Sequence, residues 1–203
     1  QDFPATKEML EYEDYQRKPT IENASEFIFC ALEQNLDIAA TRKNYVDYLA
    51  HRPRVEKIGE HGLFTDEGEP VVLGQVQNQV ADHKGIVWTH VISLRREDAA
   101  RLGYDSAVQW MALLRSKRAM LCKHMKIDSA NLKWYAAFHN ESHHPHVHLL
   151  VYSVKDGEGY LTKQSIEAMR SELAHDIFRQ DFANIYEEQA QSRMDLKERS
   201  EVV

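Results

Sequence analysis

Two strand-like runs joined by a short polar link constrain this chain more than any other feature. "NLKWYAAFH" (131–139) and "VHLLVYSV" (147–154) are apolar and aromatic, and the link around "HNESHHP" is polar. Such a pair predicts an antiparallel hairpin, or at least two neighbouring strands, around which a sheet must be built. The link also carries an unusual density of one residue type. His139, His143, His144, His146 and His148 fall within ten positions.

Strand alternation sorts these histidines. Positions i and i+2 share a face, so His146 and His148 project together while Val147 packs the other way. His139 ends the preceding strand and lies opposite that pair if the strands associate. Three neutral imidazoles on one face suit a divalent metal and leave coordination positions open. His143 and His144 fall to the turn, as a solvated or substrate-facing pair. Glu141 fits a plain turn residue better than a ligand or a partner to one. The alternative for the whole cluster is an exposed, histidine-rich loop.

The remaining elements frame the hairpin. "FPATKEMLEYEDYQRK" (3–18) predicts a short acidic helix and "SEFIFCALE" (25–33) a buried strand. "TRKNYVDYLAHR" (41–52) predicts a helix with Thr41 as its N-cap, closed near Arg52 by Pro53. Residues 54–70 have the Gly and acidic content of a loop. A helix with Val72, Val76 and Val80 on one side follows, stopped by Gly85. "IVWTHVISL" (86–94) is the most strand-like run. Helices are expected over "REDAARLGY" and over residues 105–126, the second with Val108, Met111, Leu114 and Met125 as its apolar stripe. From Thr162 a long amphipathic helix is expected, with Ile166, Met169, Leu173, Ile177, Phe182 and Tyr186 on its stripe. The order suggests an α+β or α/β sandwich with a sheet core.

Composition narrows the class. The chain has 203 residues, 43% hydrophobic and 28% charged, which is ordinary for one globular domain. No stretch approaches the roughly 18 apolar residues of a membrane span, so no membrane partner is expected. Cys30 and Cys122 stand far apart in dissimilar contexts, which favours free thiols in a reducing, cytoplasmic compartment. The chain begins at Gln1 rather than Met, which fits a fragment or a processed form. The net charge of −7 argues against a generic nucleic-acid binder. Its distribution softens that argument. Residues 1–40 carry 3 basic and 9 acidic side chains, and 155–203 carry 7 and 11, whereas 41–154 carry 15 and 12. The part holding the histidines is therefore mildly basic.

An open metal site serves hydrolysis, oxygen chemistry or phosphoryl transfer. The segment "RKNYVDYLAHRPRVEK" (42–57) selects among these. Tyr45 and Tyr48 share one helix face, amid Arg42, Lys43, His51, Arg52, Arg54 and Lys57. A tyrosine among cations suits attack on a phosphodiester, because positive charge holds phosphates and favours phenolate. Amphipathic packing is the competing explanation for both tyrosines. Arg95 and Arg96, after the strand "VWTHVISL", are further candidates for phosphate contact. Trp88, Trp134 and Tyr135 could stack on bases but are more often core.

"HPHVHLLVYS" resembles the His-hydrophobe-His signature of the HUH endonucleases. With "NYVDYLAHRPRVEKIGEHGLFTD" and "VWTHVISLRREDAARLGY", the chain resembles conjugative relaxases of the MobP group, of MobA/MobL type, over roughly residues 26–190. The resemblance implies an α+β nicking domain over 26–203, with a central antiparallel sheet flanked by helices, behind an acidic segment at 1–25. It implies a bacterial enzyme that cleaves single-stranded DNA at an origin of transfer, with accessory relaxosome and coupling proteins as partners. His139, His146 and His148 match the family's metal ligands. Tyr48 matches its nucleophilic tyrosine, with Tyr45 as runner-up, and the product is a 5′-phosphotyrosyl intermediate. The implied ion is manganese or magnesium, manganese being preferred because it tolerates imidazole better; the ligand set alone suggests zinc. No general base is assigned among Glu97, Asp98, His51, Glu141 and His143. Two other functions compete: a metal-dependent phosphodiesterase using water, and a DNA- or metal-binding module without catalysis.

Overall fold

The computed structural model describes residues 29–30, 39–67, 69–179, 181 and 183. In chain order the elements are β1 (Phe29–Cys30), α1 (Ala39–His51), β2 (Leu63–Phe64), α2 (Leu73–Asp82), β3 (Val87–Ser93), α3 (Arg96–Leu102), α4 (Ala107–Ser116), α5 (Arg118–Met125), β4 (Leu132–His139), β5 (His146–Ser153) and α6 (Lys163–Ile177). The strands form one five-stranded antiparallel sheet in the order β1-β3-β5-β4-β2. The fold is α+β, as expected.

The hairpin is the centre of this sheet. β5 pairs with β4 on one side and β3 on the other over nearly its whole length. Helices cover both faces, and this explains the almost uninterrupted apolar run of β5. Trp134, Ala136, Phe138, Val147, Leu149 and Val151 point to one face. They pack with Trp110, Leu114, Leu121, Met125, Met169 and Leu173 from α4, α5 and α6. Tyr135, Ala137, Leu150 and Tyr152 point to the other, against Val46, Leu49 and Ala50 of α1 and Val76 and Val80 of α2. The three site histidines continue this second series, so they face α1.

Residues 52–64 carry more structure than a loop. Val55 bridges to His139, and Glu56 N donates to Phe138 O at 2.9 Å. Leu63 and Phe64 then pair with Ala137 and Ala136 as the edge strand β2. Gly62 permits this course, because a Cβ there would lie 2.1 Å from Val55 Cγ2. The "HGLF" block thus stitches the end of α1 to the histidine-bearing half of β4.

Several expectations are corrected. Thr41 lies inside α1, which begins at Ala39, so it is not the N-cap. The helix expected over 105–126 is two helices that break at Lys117. Val108 is exposed, and the buried face of α4 comprises Ala107, Trp110, Leu113 and Leu114. Val72 is an exposed N-cap rather than part of the α2 stripe. Thr162 does cap α6, accepting from Ser165 N at 3.1 Å. The acidic helix expected at 3–18, most of the strand expected at 25–33, and Phe182 and Tyr186 of the stripe expected for the last helix lie outside the described residues. Among the described residues no helix is long and apolar enough to cross a membrane.

His90 is fully buried on β3, and burial depresses its pKa to about 4. The unfolded chain takes up a proton near pH 6.5 that folded His90 refuses, so stability is lost as pH falls from about 6.5 towards 4. In denaturant titrations, His90→Leu should make that acid-side loss shallower by up to about 1.4 kcal/mol per pH unit.

Candidate active site

The register of the hairpin decides which histidines meet. His139 pairs directly with His146, and His148 stands two residues further along β5 on the same face. Their ring centroids are 4.9–5.2 Å apart, and one ligand atom from each lies within 4.8 Å of the others. His139 and His148 are buried.

Backbone carbonyls orient two of the rings. His139 Nε2 sits 3.2 Å from Leu49 O, which only accepts, so Nε2 carries the hydrogen. Its Nδ1 is then a buried lone pair, without a hydrogen-bond partner among the described residues. His146 Nδ1 donates to His144 O at 2.9 Å, which leaves the lone pair on Nε2. His148 Nδ1 lies 3.5 Å from the Tyr45 hydroxyl. Burial lowers the pKa of all three. His139 is pushed down to about 3, with the neighbouring His146 adding to the effect, and His148 falls well below its ordinary value. All three are neutral at pH 7, the state a metal ligand requires. The buried lone pair and the neutral imidazole set fit a divalent ion.

α1 brings both tyrosines to this cluster. The rings stack with centroids 6.2 Å apart, and each stands 6.5 Å from His148, edge-on. Both are half-buried and differ in their contacts. The Tyr45 hydroxyl is engaged with His148 and Thr89, and burial raises its pKa strongly. The expectation that nearby cations favour phenolate is overturned for the protein alone. Burial raises the Tyr48 pKa, Arg52 lowers it, Glu141 raises it, and burial wins.

The expected cations divide. Arg52 lies over the Tyr48 ring, 5.5 Å from its centroid, with Nη1 3.5 Å from His146 Nε2. Arg54 takes a left-handed backbone (φ 69°) and donates to Glu141 at 2.6 Å. Lys43 is exposed on α1. Arg96 donates to Asn140 Oδ1 at 2.6 Å and to Ser142 O at 3.2 Å, so it ties down the 140–145 turn. Arg95 pairs with Asp98 at 2.8 Å. Arg42 is corrected: its buried guanidinium donates to His83 O and Gly85 O, joining α1 to the end of α2. Trp134 and Tyr135 are buried core residues, and half-buried Trp88 donates to Gly159 O at 2.6 Å.

Three contributors were missed from the sequence. Leu49 and His144 act through carbonyls, which every residue carries. Thr89 left a signal: it is a hydroxyl within an apolar strand, on the face of β3 shared with Val87 and Val91.

The family model described as MobL relaxases matches residues 1–201. No curated protein and no solved structure matches the chain.

Removing the Arg42 fork leaves two carbonyls without their donor. Arg42→Ala should destabilise the chain by about 1–3 kcal/mol in chemical denaturation. The salt dependence of DNA binding should stay as in the wild type.

Proposed function

The chain belongs to the MobL relaxases, and from that premise we propose that it is a site- and strand-specific nickase of single-stranded origin-of-transfer DNA in which Tyr48 is the nucleophile. The reading assigns His139, His146 and His148 as ligands of a divalent ion, manganese by preference over magnesium. The observation that carries the choice of tyrosine is what each one contacts. The Tyr45 hydroxyl is engaged with His148 and Thr89 and burial raises its pKa strongly, whereas the Tyr48 ring lies beneath the Arg52 guanidinium, a cation suited to hold a phosphate.

In this reading Arg52 holds the scissile phosphate beside the tyrosine it overlies. The Tyr48 oxygen forms a bond to phosphorus, and the bond from phosphorus to the 3′ oxygen breaks. Tyr48 releases its proton and the departing 3′ oxygen takes one up. The DNA stays joined to the protein through its 5′ phosphate, and the reverse attack by a 3′ hydroxyl reseals it without an energy source. What a divalent ion supplies at such a triad is Lewis-acid stabilisation of charge on a phosphoryl oxygen. Tyr45 keeps His148 in place through the 3.5 Å contact of its hydroxyl. Exposed Lys43 and Arg54 extend the phosphate-binding surface. Residues 26–203 act as the nicking domain, and accessory relaxosome and coupling proteins deliver the DNA in bacterial cytoplasm.

Labelled single-stranded origin DNA, incubated with protein and manganese, should give a slow-migrating covalent species on a denaturing gel. Tyr48→Phe should reduce that species to background, while Tyr45→Phe retains it. Full adduct formation by Tyr48→Phe would refute the assignment. Cleavage without protein-linked DNA would indicate attack by water instead.

A further inference from the structure

A guanidinium beside a cation site is an electrostatic conflict. Arg52 Nη1 lies 3.5 Å from His146 Nε2, the ring nitrogen that carries the lone pair. Its charge reaches the whole cluster. Burial is the main cause of the low pKa of all three imidazoles, and Arg52 adds to the depression of each; at Tyr48 it opposes burial. A dication held at the triad is repelled by that same charge.

Glu141 is the compensating group. Its Oε1 is 3.7 Å from Arg52 Nη2, and its Oε2 accepts from Arg54 Nη1 at 2.6 Å. The side chains of Arg52 and Glu141 are only 17% and 26% exposed, against 54% for Arg54. Solvent therefore screens the first pair less than the second. Glu141 also hangs from a braced turn, because Arg96 holds Asn140 and Ser142 on either side of it. The backbone that carries the carboxylate is thus braced.

We propose that Arg52 and Glu141 form a charge pair that sets metal affinity at the triad in opposite directions, Arg52 weakening it and Glu141 strengthening it. This rests on the reading of the triad as a metal site. The arrangement makes the ion loosely held by the protein alone. A phosphodiester entering beside Arg52 brings the negative charge that one carboxylate, shared between two arginines, only partly provides. Metal and DNA backbone would then each favour the other's binding, a coupling that thermodynamics makes reciprocal.

The test is calorimetric titration of the full 203-residue chain with manganese chloride, without DNA. Unit charges at this range in a half-buried site should shift affinity by about tenfold or more. Arg52→Gln should tighten manganese by about tenfold, and Glu141→Gln should weaken it by about tenfold. Arg52→Lys, which keeps the charge, should stay within about threefold of wild type. The double variant should return to within about threefold of wild type, as a compensating pair requires. Circular dichroism of each variant establishes that it is folded. Arg52→Gln that leaves affinity unchanged or weaker overturns the inference, as does Arg52→Lys that tightens as much as Gln. A double variant as weak as Glu141→Gln overturns it too, by making Glu141 a ligand in its own right. If His146→Ala binds manganese as well as the wild type, the metal reading of the triad itself fails; if it abolishes binding while Arg52→Gln has no effect, only the charge pair fails.

Discussion

The pairing of His139 with His146 across two central strands is the constraint from which the site follows. Neither strand could hold the cluster alone, since His139 is a single residue at a strand end. Antiparallel pairing brings it opposite the His146/His148 pair, and burial under α1 removes water from the His139 and His148 rings. That burial has two effects. It keeps the imidazoles neutral, and it leaves His139 Nδ1 as a lone pair without a hydrogen-bond partner among the described residues. A buried polar atom of this kind costs stability unless something meets it. The fold accepts this cost where the chemistry of a metal would relieve it.

α1 couples this site to the rest of the chain. It packs Val46, Leu49 and Ala50 onto the sheet and lends the Leu49 carbonyl to His139. It also carries both tyrosines. The chain that leaves it runs back along β4 through Val55 and Glu56 before forming β2. Helix, histidine-bearing strand and edge strand are therefore one mechanical unit. Tyr48 keeps its relation to the triad through continuous backbone hydrogen bonding rather than through a single side-chain contact.

The central hairpin was legible because two patterns coincided there: a period of two in the apolar residues and the His-Val-His spacing within it. Alternation grouped His146 with His148, and the expected pairing of the two strands added His139. Features set by three-dimensional context were less legible. Arg42 sits in the same basic run as Arg52, yet one guanidinium is buried on carbonyls while the other faces the site. Sequence spacing does not show which side of α1 meets the end of α2. The phenolate expectation counted charges and omitted burial, which outweighs them at Tyr48. Residues 105–126 have helical character throughout, and nothing local marks the break at Lys117.

The alternation of the two central strands has a last consequence. His139, His146 and His148 share their strands with Phe138, Val147 and Leu149, which point into the opposite core. A slip of β5 by one residue would carry His146 and His148 into the opposite layer and send Val147 and Leu149 to the site. The apolar layer thus acts as a proofreader of register. Substitutions there that loosen strand pairing would be felt at the histidine cluster on the far side of the sheet, by residues that do not touch it.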